Sequence, residues 1–395
     1  MSLSPPSHHR GLWSPVILFA GCVLSFAAGY RYGPAVWSAE GRTADGSRSA
    51  VRRNAPPVGR DAQPARPRKL TLAAVGDVML DRTVWKRIQA NGARSILARA
   101  PSTLRRADLA FGNLECPLGN ARHAVSGEMS FCADPSTVAV LKDGGFDLVS
   151  LANNHTLDRG PSILQGTLAV LEAAGIRYAG ADRDRAQATR LRRLGAGGLT
   201  VGFLAYTDLS FEHGSWAKVG PDDRRALEEV RAARNKCDLL VVSYHWGNEY
   251  QPMPTSRQRA LGRGTINAGA DLVLGHHPHV LGPIEAYGGG LILYSMGNFV
   301  FDQRDTPDHE MDTAIFQIRY SEGEPLSATV IPLHISRQRC GPEPIGRPQA
   351  RVILKRIGAF SARLGTPLSI QGMHGLVTAA APAPDRSPAT TEVTG

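Results

Sequence analysis

The chain has 395 residues, of which 42% are hydrophobic and 20% are charged. This length allows one large domain or two ordinary ones, and the composition excludes a wholly disordered or collagen-like chain. The formal net charge is +10, but residues 1–70 carry ten Arg or Lys and three Asp or Glu, which gives +7 and leaves +3 for the other 325 positions. A nucleic-acid-binding domain would carry its positive charge on the folded surface, so no nucleic-acid partner is expected.

The first element in chain order is an uncharged segment, residues 11–30, between Arg10 and Arg31. A helix of about 20 residues spans roughly 30 Å, the thickness of a bilayer core. The segment therefore predicts an N-terminal transmembrane helix within residues 1–37, and a single-pass protein of the cell membrane whose main domain is periplasmic or extracellular. Two alternatives stay open: a cleaved signal peptide, and lipidation at Cys22, which follows a loose resemblance to a bacterial lipobox.

Two further segments lack the apolar periodicity of a folded element. Residues 38–68 are rich in Arg, Pro, Ala, Gly and Ser, which is typical of a solvated linker. Residues 375–395 are rich in Ala, Pro, Thr and Ser and are predicted to be disordered. Between them we expect a main domain over residues 69–336 and a helical extension over residues 337–374.

From residue 70 onward, short apolar runs alternate with helix-like segments. Runs that do not alternate between apolar and polar residues predict strands buried on both faces. The seven runs begin at Leu70, Ala107, Phe146, Leu199, Cys237, Ala270 and Gly290. Helices are predicted over residues 161–174, 222–236 and 255–268, and antiparallel strands over residues 314–320 and 328–335. This order predicts an α/β domain with a sheet covered on both sides.

Polar residues follow the apolar runs, and ligands of open α/β sheets bind at the carboxyl ends of strands. Six successive strands are thus expected to deliver these residues to one edge: Asp77, Asn113, Glu115, Asn154, His155, His245, Glu249, His276, His277, His279 and Asn298. Each has an ordinary alternative when taken alone, such as a helix cap, a turn residue or a core histidine. However, five of the 12 histidines come directly after these runs, whereas purely structural histidines would be scattered.

The residue types indicate the kind of ion. Carboxylate, amide and imidazole groups without a thiolate favour Mn²⁺, Fe, Zn²⁺ or Mg²⁺. We therefore expect a divalent metal ion as cofactor, with one or two ions in the site.

Six motifs in fixed order carry a family resemblance: VGDVMLDR, GNLECPL, SLANNHTLDRG, YHWGNEY, GADLVLGHHPHVLGPIE and YSMGNFVFD. Over residues 70–302 the sequence resembles the CapA-type capsule-biosynthesis (poly-γ-glutamate synthesis) family, which is similar to a divergent calcineurin-like metallophosphoesterase. The resemblance implies a four-layer α/β-β-α sandwich of metallophosphoesterase type. It also implies a membrane anchor, an external domain and a role with membrane partners in making or exporting a γ-linked polyglutamate capsule.

The resemblance also implies a role for each motif residue. Asp77, Asn154, His245, His277 and His279 would bind metal, and Glu115 would bridge two metal ions. His155 would protonate the leaving group. The remaining candidates would orient these ligands or contact substrate: Asn113, Asp158, Glu249, His276 and Asn298.

One position departs from the usual phosphoesterase pattern. The Asp-x-His of the first strand is Asp77-Val78-Met79 here, as in the CapA-like family, and a thioether is a weak ligand for a hard metal ion. The site therefore holds one metal ion, holds the second weakly, or does not catalyse hydrolysis. His276 is a candidate replacement ligand, and the alternative is an ordinary loop residue.

The cysteines provide a smaller expectation. Five cysteines without a CxxC pair exclude a disulfide framework and a zinc ribbon. Cys116 and Cys132 replace residues that are usual in the family motifs, which in an external domain implies a Cys116–Cys132 disulfide. The alternative is two unrelated buried thiols.

Three functions are compatible with these patterns. The first is a membrane-anchored CapA-like protein of polyglutamate biosynthesis or export, whose metal-dependent hydrolase site acts on the polymer or on a phosphorylated intermediate. The second is a non-catalytic scaffold or export subunit with the same fold. The third is a generic extracytoplasmic metallophosphoesterase, which Met79 disfavours. The expected partners are an anionic polymer or phosphoester substrate, the membrane and membrane subunits of a capsule synthase.

Overall fold

The computed structural model describes residues 67–120, 129–209, 223–303 and 308–380. Sixteen strands lie in these ranges: β1 Lys69–Val78, β2 Leu109–Leu114, β3 Leu148–Ser150, β4 Arg177–Ala179, β5 Arg192–Ala196, β6 Leu199–Thr207, β7 Leu239–His245, β8 Leu272–His276, β9 Ile284–Tyr287, β10 Gly290–Leu293, β11 Asn298–Val300, β12 Asp312–Ser321, β13 Ser327–Ile335, β14 Pro342–Glu343, β15 Ser369–Gln371 and β16 His374–Thr378. All seven predicted runs form strands.

Nine α-helices lie in the same ranges: α1 Arg82–Asn91, α2 Arg94–Leu97, α3 Thr103–Arg106, α4 Val138–Gly144, α5 Pro161–Ala174, α6 Arg185–Ala188, α7 Arg224–Arg234, α8 Ser256–Asn267 and α9 Arg347–Ala362. Helix α5 begins at a proline and ends before Gly175 in the left-handed conformation, as its sequence predicts. Helix α8 begins with a complete capping box between Thr255 and Gln258. Two further 3₁₀ turns span Pro135–Thr137 and Asp308–Glu310.

The strands form two mixed sheets. The first has ten strands in the order β15-β16-β13-β12-β1-β2-β3-β4, with β11 paired to β1 and β14 paired to β13. The second has six strands in the order β5-β6-β7-β8-β10-β9. The α/β class is confirmed, and β12 and β13 are antiparallel as predicted. The expected single edge is wrong, because β1 to β3 belong to one sheet and β6 to β8 to the other.

Within the described ranges, alternating side chains on the strands divide the interior into three large cores and one small cluster of alanines. On β1, Leu72 and Ala74 face the second sheet, whereas Ala73 and Val75 face the helices α1, α4 and α5. On β7, Val241 faces the first sheet and Val242 packs with residues of α7 and α8. Since each sheet buries both faces, its central strands are continuous apolar runs. The resulting layers are helices, sheet, sheet and helices.

The C-terminal region is part of this fold. Helix α9 buries Ile353, Leu354 and Ile357 in the core between the sheets, and the Ser361 hydroxyl accepts a hydrogen bond from the backbone N–H of Ile284 on β9. Strand β16 pairs with β13. The predicted helical extension is therefore a closing wall of the sandwich, and residues 375–378 of the predicted tail form part of a strand. Residues 381–395 of that tail lie outside the described residues.

The predicted transmembrane segment, residues 11–30, lies outside the described ranges, as does nearly all of the predicted linker. Within the described ranges, no helix combines the length and the apolar character needed to cross a bilayer.

Candidate metal centre

The first sheet contributes oxygen ligands to the candidate site. Asp77 lies near the end of β1, and its register partners are Asn113 on β2 and Asn298 on β11. Glu115 directly follows β2, and Asn154 lies in the turn after β3. Asp77 and Glu115 are both 0% exposed. The neighbouring parallel strands therefore end with their polar groups side by side.

The second sheet contributes imidazoles. His245 and His276 are the last residues of β7 and β8 and are register partners. His277 and His279 follow β8, and both have positive φ, 93° and 58° respectively. Such backbone conformations are strained for residues other than glycine, and they occur where surrounding contacts fix the geometry at a functional site. Both rings offer a ligand atom within 4.8 Å of the carboxylate of Glu115, which follows β2 of the first sheet.

Two glycines allow the close backbone contacts on which this geometry depends. A Cβ atom at Gly76 would lie 1.9 Å from the carbonyl oxygen of Gly297, and one at Gly275 would lie 2.2 Å from that of Tyr294. The 294–297 loop therefore packs against the ends of β1 and β8. This packing positions Asn298 beside both Asp77 and His279.

The side chains form two overlapping clusters that share one carboxylate. Glu115, His277 and His279 form one, and Asp77, Glu115 and His245 form the other, with their ligand atoms within 4.8 Å of one another. Glu115 Oε1 lies 3.6 Å from His245 Nε2 and 3.7 Å from His279 Nε2. Glu115 therefore lies between the two clusters and is common to both.

The electrostatics of the clusters favour a cation. Within the described ranges, both carboxylate oxygens of Glu115 are buried without a hydrogen-bond partner. Burial and the nearby charge of Asp77 raise the pKa of Glu115 well above its ordinary value. A buried carboxylate without a partner is costly unless a cation neutralises it. The donor set and this orphaned carboxylate fit a divalent metal ion.

The candidate imidazoles differ in their electrostatics. Although burial alone would lower it, the hydrogen bond with Asp77 raises the pKa of His279 above its ordinary value. The pKa values of His245 and His277 shift the other way. Burial and the charge of His277 lower the pKa of His245 well below its ordinary value. Burial and His279 lower the pKa of His277 to about 3. Both shifts favour the neutral ring, and a neutral imidazole offers a lone pair to a metal ion. In the described part of the chain, Nδ1 of His277 is buried without a hydrogen-bond partner.

Asp77 is held by several donors. Asn113 Nδ2 donates to Oδ1 at 2.9 Å, and His276 Nδ1 lies 3.0 Å from the same oxygen. Although burial alone would raise the pKa of Asp77, hydrogen bonds from His276 and His279 hold it well below its ordinary value. His276 thus contacts the carboxylate and belongs to neither cluster of metal-binding groups. Its Nδ1 orients Asp77 in this arrangement, and its Nε2 is buried without a hydrogen-bond partner within the described ranges, so its role as a replacement ligand stays a prediction.

His155 lies beside the clusters in a fixed orientation. Its Nδ1 is 2.8 Å from Asp158 Oδ2, and its Nε2 is 2.8 Å from Asn154 Nδ2. Because the Asp158 carboxylate accepts and the Asn154 Nδ2 donates, the His155 ring is assigned its proton on Nδ1 and accepts a hydrogen bond at Nε2. The Phe131 ring packs against the imidazole at 4.2 Å between centroids. Asn154 Oδ1 lies 2.7 Å from His245 Nε2, so this amide connects His155 to the second sheet.

The surrounding candidates differ in how close they lie. Asn298 Oδ1 accepts a hydrogen bond from His279 Nδ1 at 2.8 Å, and Asn113 Nδ2 is 3.3 Å from His245 Nδ1. Glu249 is exposed, and within the described ranges no hydrogen bond joins it to an imidazole. Glu249 lies in the loop after β7, two residues after Gly247, whose φ is 89°. It raises the pKa values of Glu115 and His279 through its charge and not through a hydrogen bond.

Sequence reasoning missed Asn153. Its Nδ2 donates to Asn113 Oδ1 at 3.1 Å and to the Leu114 carbonyl at 2.8 Å, while its Oδ1 accepts from the His155 N–H at 3.0 Å. This amide therefore ties the turn that carries His155 to the end of β2. The signal for it in the sequence is the pair of adjacent asparagines in LANNH.

Met79 does not face the centre. Its side chain is fully buried in the core between the first sheet and the helices, and its Sδ accepts a hydrogen bond from the Asp81 N–H at 3.1 Å. At the third position of an Asp-x-His motif the chain therefore has a buried thioether in place of an imidazole.

The disulfide expected between Cys116 and Cys132 is wrong for this structure. Both residues are buried, but their sulfur atoms have different partners. Cys116 Sγ accepts from the Leu80 N–H at 3.2 Å, and Cys132 Sγ donates to the Gly119 carbonyl at 3.5 Å. Burial raises the pKa of Cys116 well above its ordinary value, which is typical of an inert structural thiol.

Solved structures with a partly similar shape include a hypothetical protein from Thermus thermophilus. It has a TM-score of 0.41 and 19% identity, and the match covers 69% of this chain and 96% of that one. A novel phosphatase from Mycoplasma pneumoniae has a TM-score of 0.40 and 12% identity, with 69% and 90% covered.

Two curated relatives are much closer in sequence. The PGA biosynthesis protein CapA of Bacillus subtilis (strain 168) is 33% identical over 67% of this chain and 72% of that protein. The Capsule biosynthesis protein CapA of Bacillus anthracis is 32% identical over 70% of each chain. Residues 71–303 match the family described as Bacterial capsule synthesis protein PGA_cap. This match spans more than half of the chain and includes both clusters, and the chain belongs to the bacterial capsule synthesis protein family.

Proposed function

We propose that the protein takes part in the biosynthesis or export of a γ-linked polyglutamate capsule, as a membrane-anchored protein with its main domain outside the cytoplasm. Its metal-dependent hydrolase-type site acts on the polymer or on a phosphorylated intermediate of its synthesis. The names of the curated relatives, which refer to PGA and capsule biosynthesis, support the pathway. The uncharged segment over residues 11–30 supports the anchor.

The buried carboxylate of Glu115 carries the proposal of a metal site. It lies between His245 and His279, has no hydrogen-bond partner within the described ranges, and belongs to both clusters. A purely structural carboxylate would be paired or exposed. Asp77, His277 and His279 would hold the ion or ions together with Glu115, and Asn154 and His245 would complete the set.

The chemistry that a divalent ion would supply at these residues is a lowered pKa of a bound water molecule and polarisation of a phosphoryl or carbonyl oxygen. The protein supplies the remaining chemistry. Asp158 fixes the imidazole of His155 through Nδ1, and Phe131 shields one face of the ring, so Nε2 stays beside the centre. As a general acid, His155 would carry a proton on Nε2 in place of the hydrogen bond that it accepts there from Asn154, and would give this proton to the leaving group. Asn113 and Asn298 hold Asp77, His245 and His279 in place.

Met79 favours a second candidate, a non-catalytic scaffold or export subunit. Its thioether replaces an imidazole ligand and packs in the core. A chain that keeps the fold but binds metal with an incomplete set can serve to hold polymer or partners without hydrolysing a bond.

Two variants of the full chain separate these functions, tested in a capsule-producing host whose own gene is deleted. Glu115→Gln is expected to lose bound metal and polymer production together. His155→Ala is expected to keep its metal, because His155 belongs to neither cluster, but to lower hydrolysis of γ-glutamyl polymers or phosphoesters by about 10²–10⁴-fold.

His374→Ala, at an exposed histidine on β16, is the matched control and should keep metal, activity and polymer production. Full polymer production by Glu115→Gln would contradict the hydrolase proposal and support the scaffold. Loss of metal in His155→Ala would contradict the role given to His155.

A further inference from the structure

A second polar cleft lies where the outer edges of the two sheets meet. It has a volume of about 970 Å³ and is formed by β4, β5, α6 and α7. Arg177 begins β4, Arg192 and Arg193 begin β5, and Lys236 follows α7. Since β4 and β7 run parallel to the strands that end at the metal centre, Arg177 and Lys236 lie at the opposite, amino-terminal edge of the sheets. None of the residues that line the cleft belongs to the metal centre.

The charge of this cleft is strongly one-sided. One carboxylate, Glu229, lines the cleft together with five cationic residues: Arg177, Arg190, Arg192, Arg193 and Lys236. The carboxylate is already engaged, because Glu229 accepts hydrogen bonds from Tyr206 at 2.9 Å and from Arg225 at 3.3 Å. Arg192 is held by Asp182 at 2.5 Å.

Four cations remain available for a ligand. Arg177, Arg190, Arg193 and Lys236 are exposed, and no carboxylate pairs with them within the described ranges. The chain beyond residue 70 carries a net charge of only +3, so four unpaired cations around one cleft are a local concentration of charge. Like charges gathered in this way repel one another, and a bound polyanion relieves that repulsion.

We propose that this cleft binds a flexible polycarboxylate chain and so holds the polymer at a second point of the domain. Guanidinium groups are planar forks that pair with carboxylates through two hydrogen bonds. A single exposed guanidinium–carboxylate pair contributes little to binding. Several pairs formed by one polymer chain bind more tightly, because the first contact raises the effective concentration of the next carboxylates at the cleft. The inference rests on the proposed function for the identity of the polymer, whereas the cleft and its charge are independent of the metal centre.

The test measures binding of fluorescently labelled γ-linked polyglutamate to the purified full chain by fluorescence anisotropy, in the presence of EDTA. The cleft variant carries Arg177→Glu, Arg190→Glu, Arg193→Glu and Lys236→Glu. A matched control carries four charge reversals at exposed arginines elsewhere, Arg99→Glu, Arg105→Glu, Arg351→Glu and Arg363→Glu. Circular dichroism verifies folding, and a variant with glutamine at the four cleft positions replaces the first if charge reversal prevents folding.

We expect wild type and control to bind polyglutamate, more weakly at high salt, and the cleft variant to bind at least about tenfold more weakly. Free glutamate should not compete at concentrations at which the polymer does, since it makes one contact at a time. Unchanged binding by the cleft variant, or equal losses in both variants, would overturn the proposal. Equal or tighter binding of a single-stranded oligonucleotide would overturn the assignment to carboxylates.

EDTA distinguishes this proposal from the proposed function. Polymer binding that persists in EDTA and depends on the four cations supports the cleft even if the metal centre is inactive. Polymer binding that disappears with the metal would place the polymer at the centre and overturn the cleft.

Discussion

The two sheets contribute different chemistry to one site. The first supplies oxygen atoms, from Asp77, Glu115 and Asn154, and the second supplies nitrogen atoms, from His245, His277 and His279. Each of the two clusters combines groups from both sheets, so neither sheet alone provides a complete cluster. Packing between the sheets therefore assembles the centre, and the core between them sets its dimensions.

The largest expected effect comes from breaking that packing. Phe203 on β6 stacks on Phe111 of β2 with 5.8 Å between ring centroids, directly between the sheets. We expect Phe203→Ala to lower the free energy of unfolding by about 3–5 kcal/mol and Phe203→Leu by less than about 1.5 kcal/mol, measured by urea titration.

Leu240→Ala provides the control for this effect. Leu240 lies on the opposite face of the second sheet, in the core with α7 and α8, and its truncation should cost about 2–5 kcal/mol. Metal affinity of the folded protein should fall for Phe203→Ala and stay unchanged for Leu240→Ala. Equal metal affinities of Phe203→Ala and Leu240→Ala would contradict the claim that the core between the sheets assembles the centre.

A smaller effect is expected from the group that both sheets share. Glu115→Gln should weaken metal binding by more than about a hundredfold, because a charged ligand is lost from both clusters. In EDTA, the same variant should be more stable than wild type by about 1 kcal/mol, because an unpartnered buried carboxylate is removed. Urea titrations with and without metal measure both results. Lower stability of the variant in EDTA would contradict the electrostatics inferred for Glu115.

The same carboxylate predicts a pH dependence for the metal-free protein. The pKa of Glu115 is higher in the folded state than the unfolded value of about 4.3, because of burial and Asp77. Its contribution to stability is therefore fully present below the unfolded pKa and is lost as the pH rises through the folded pKa. The wild type should lose this contribution between mildly acidic and higher pH, and Glu115→Gln should not. Parallel stability profiles of the two proteins would contradict this assignment.

Supporting residues should have smaller effects that follow their contacts. Asn298→Ala removes the acceptor for His279 and should weaken metal binding by about 10–100-fold. Glu249→Gln, at an exposed side chain, should change metal affinity by less than about threefold, since exposed charges interact weakly. Calorimetric metal titration tests the pair. A larger effect at Glu249 than at Asn298 would contradict the arrangement around His279.

The smallest expected effect concerns backbone strain at the second sheet. His277 has φ 93°, which glycine adopts without strain. His277→Gly and His277→Ala both remove the ligand, but in EDTA the glycine variant should be more stable by about 1 kcal/mol. Thermal unfolding of the two proteins provides the comparison. Equal stability, or greater stability of the alanine variant, would show that the loop carries no such strain.

The sequence was most informative where chemistry and local pattern coincide. Runs such as those ending at Asp77, Glu115 and His245 contain both the buried strand and its terminal ligand, so the strands and the residues brought together at the centre were predictable. Helix α5 was predictable to the residue because a proline and a glycine mark its ends. Family membership was predictable because six motifs keep their order.

Long-range pairing was not predictable in the same way. The chain divides into two sheets because β5 pairs with β6 and not with the preceding strand β4. The position of α9 depends on its contacts with β9 of the second sheet and β13 of the first. The role of Asn153 depends on hydrogen bonds to β2, and the exposure of Glu249 depends on the course of a loop. A single sequence encodes these features only through tertiary contacts, without a local periodicity that reveals them.

The central claim is that residues from both sheets together bind a metal ion, and elemental analysis of the purified full chain tests it most directly. Wild type is compared with Asp77→Asn from the first sheet and with a His277→Ala, His279→Ala double variant from the second. We predict near-stoichiometric transition metal in wild type and its loss in both variants. Wild type without metal after incubation with Mn²⁺, Zn²⁺ and Fe²⁺, or a double variant that keeps its metal, would contradict the claim.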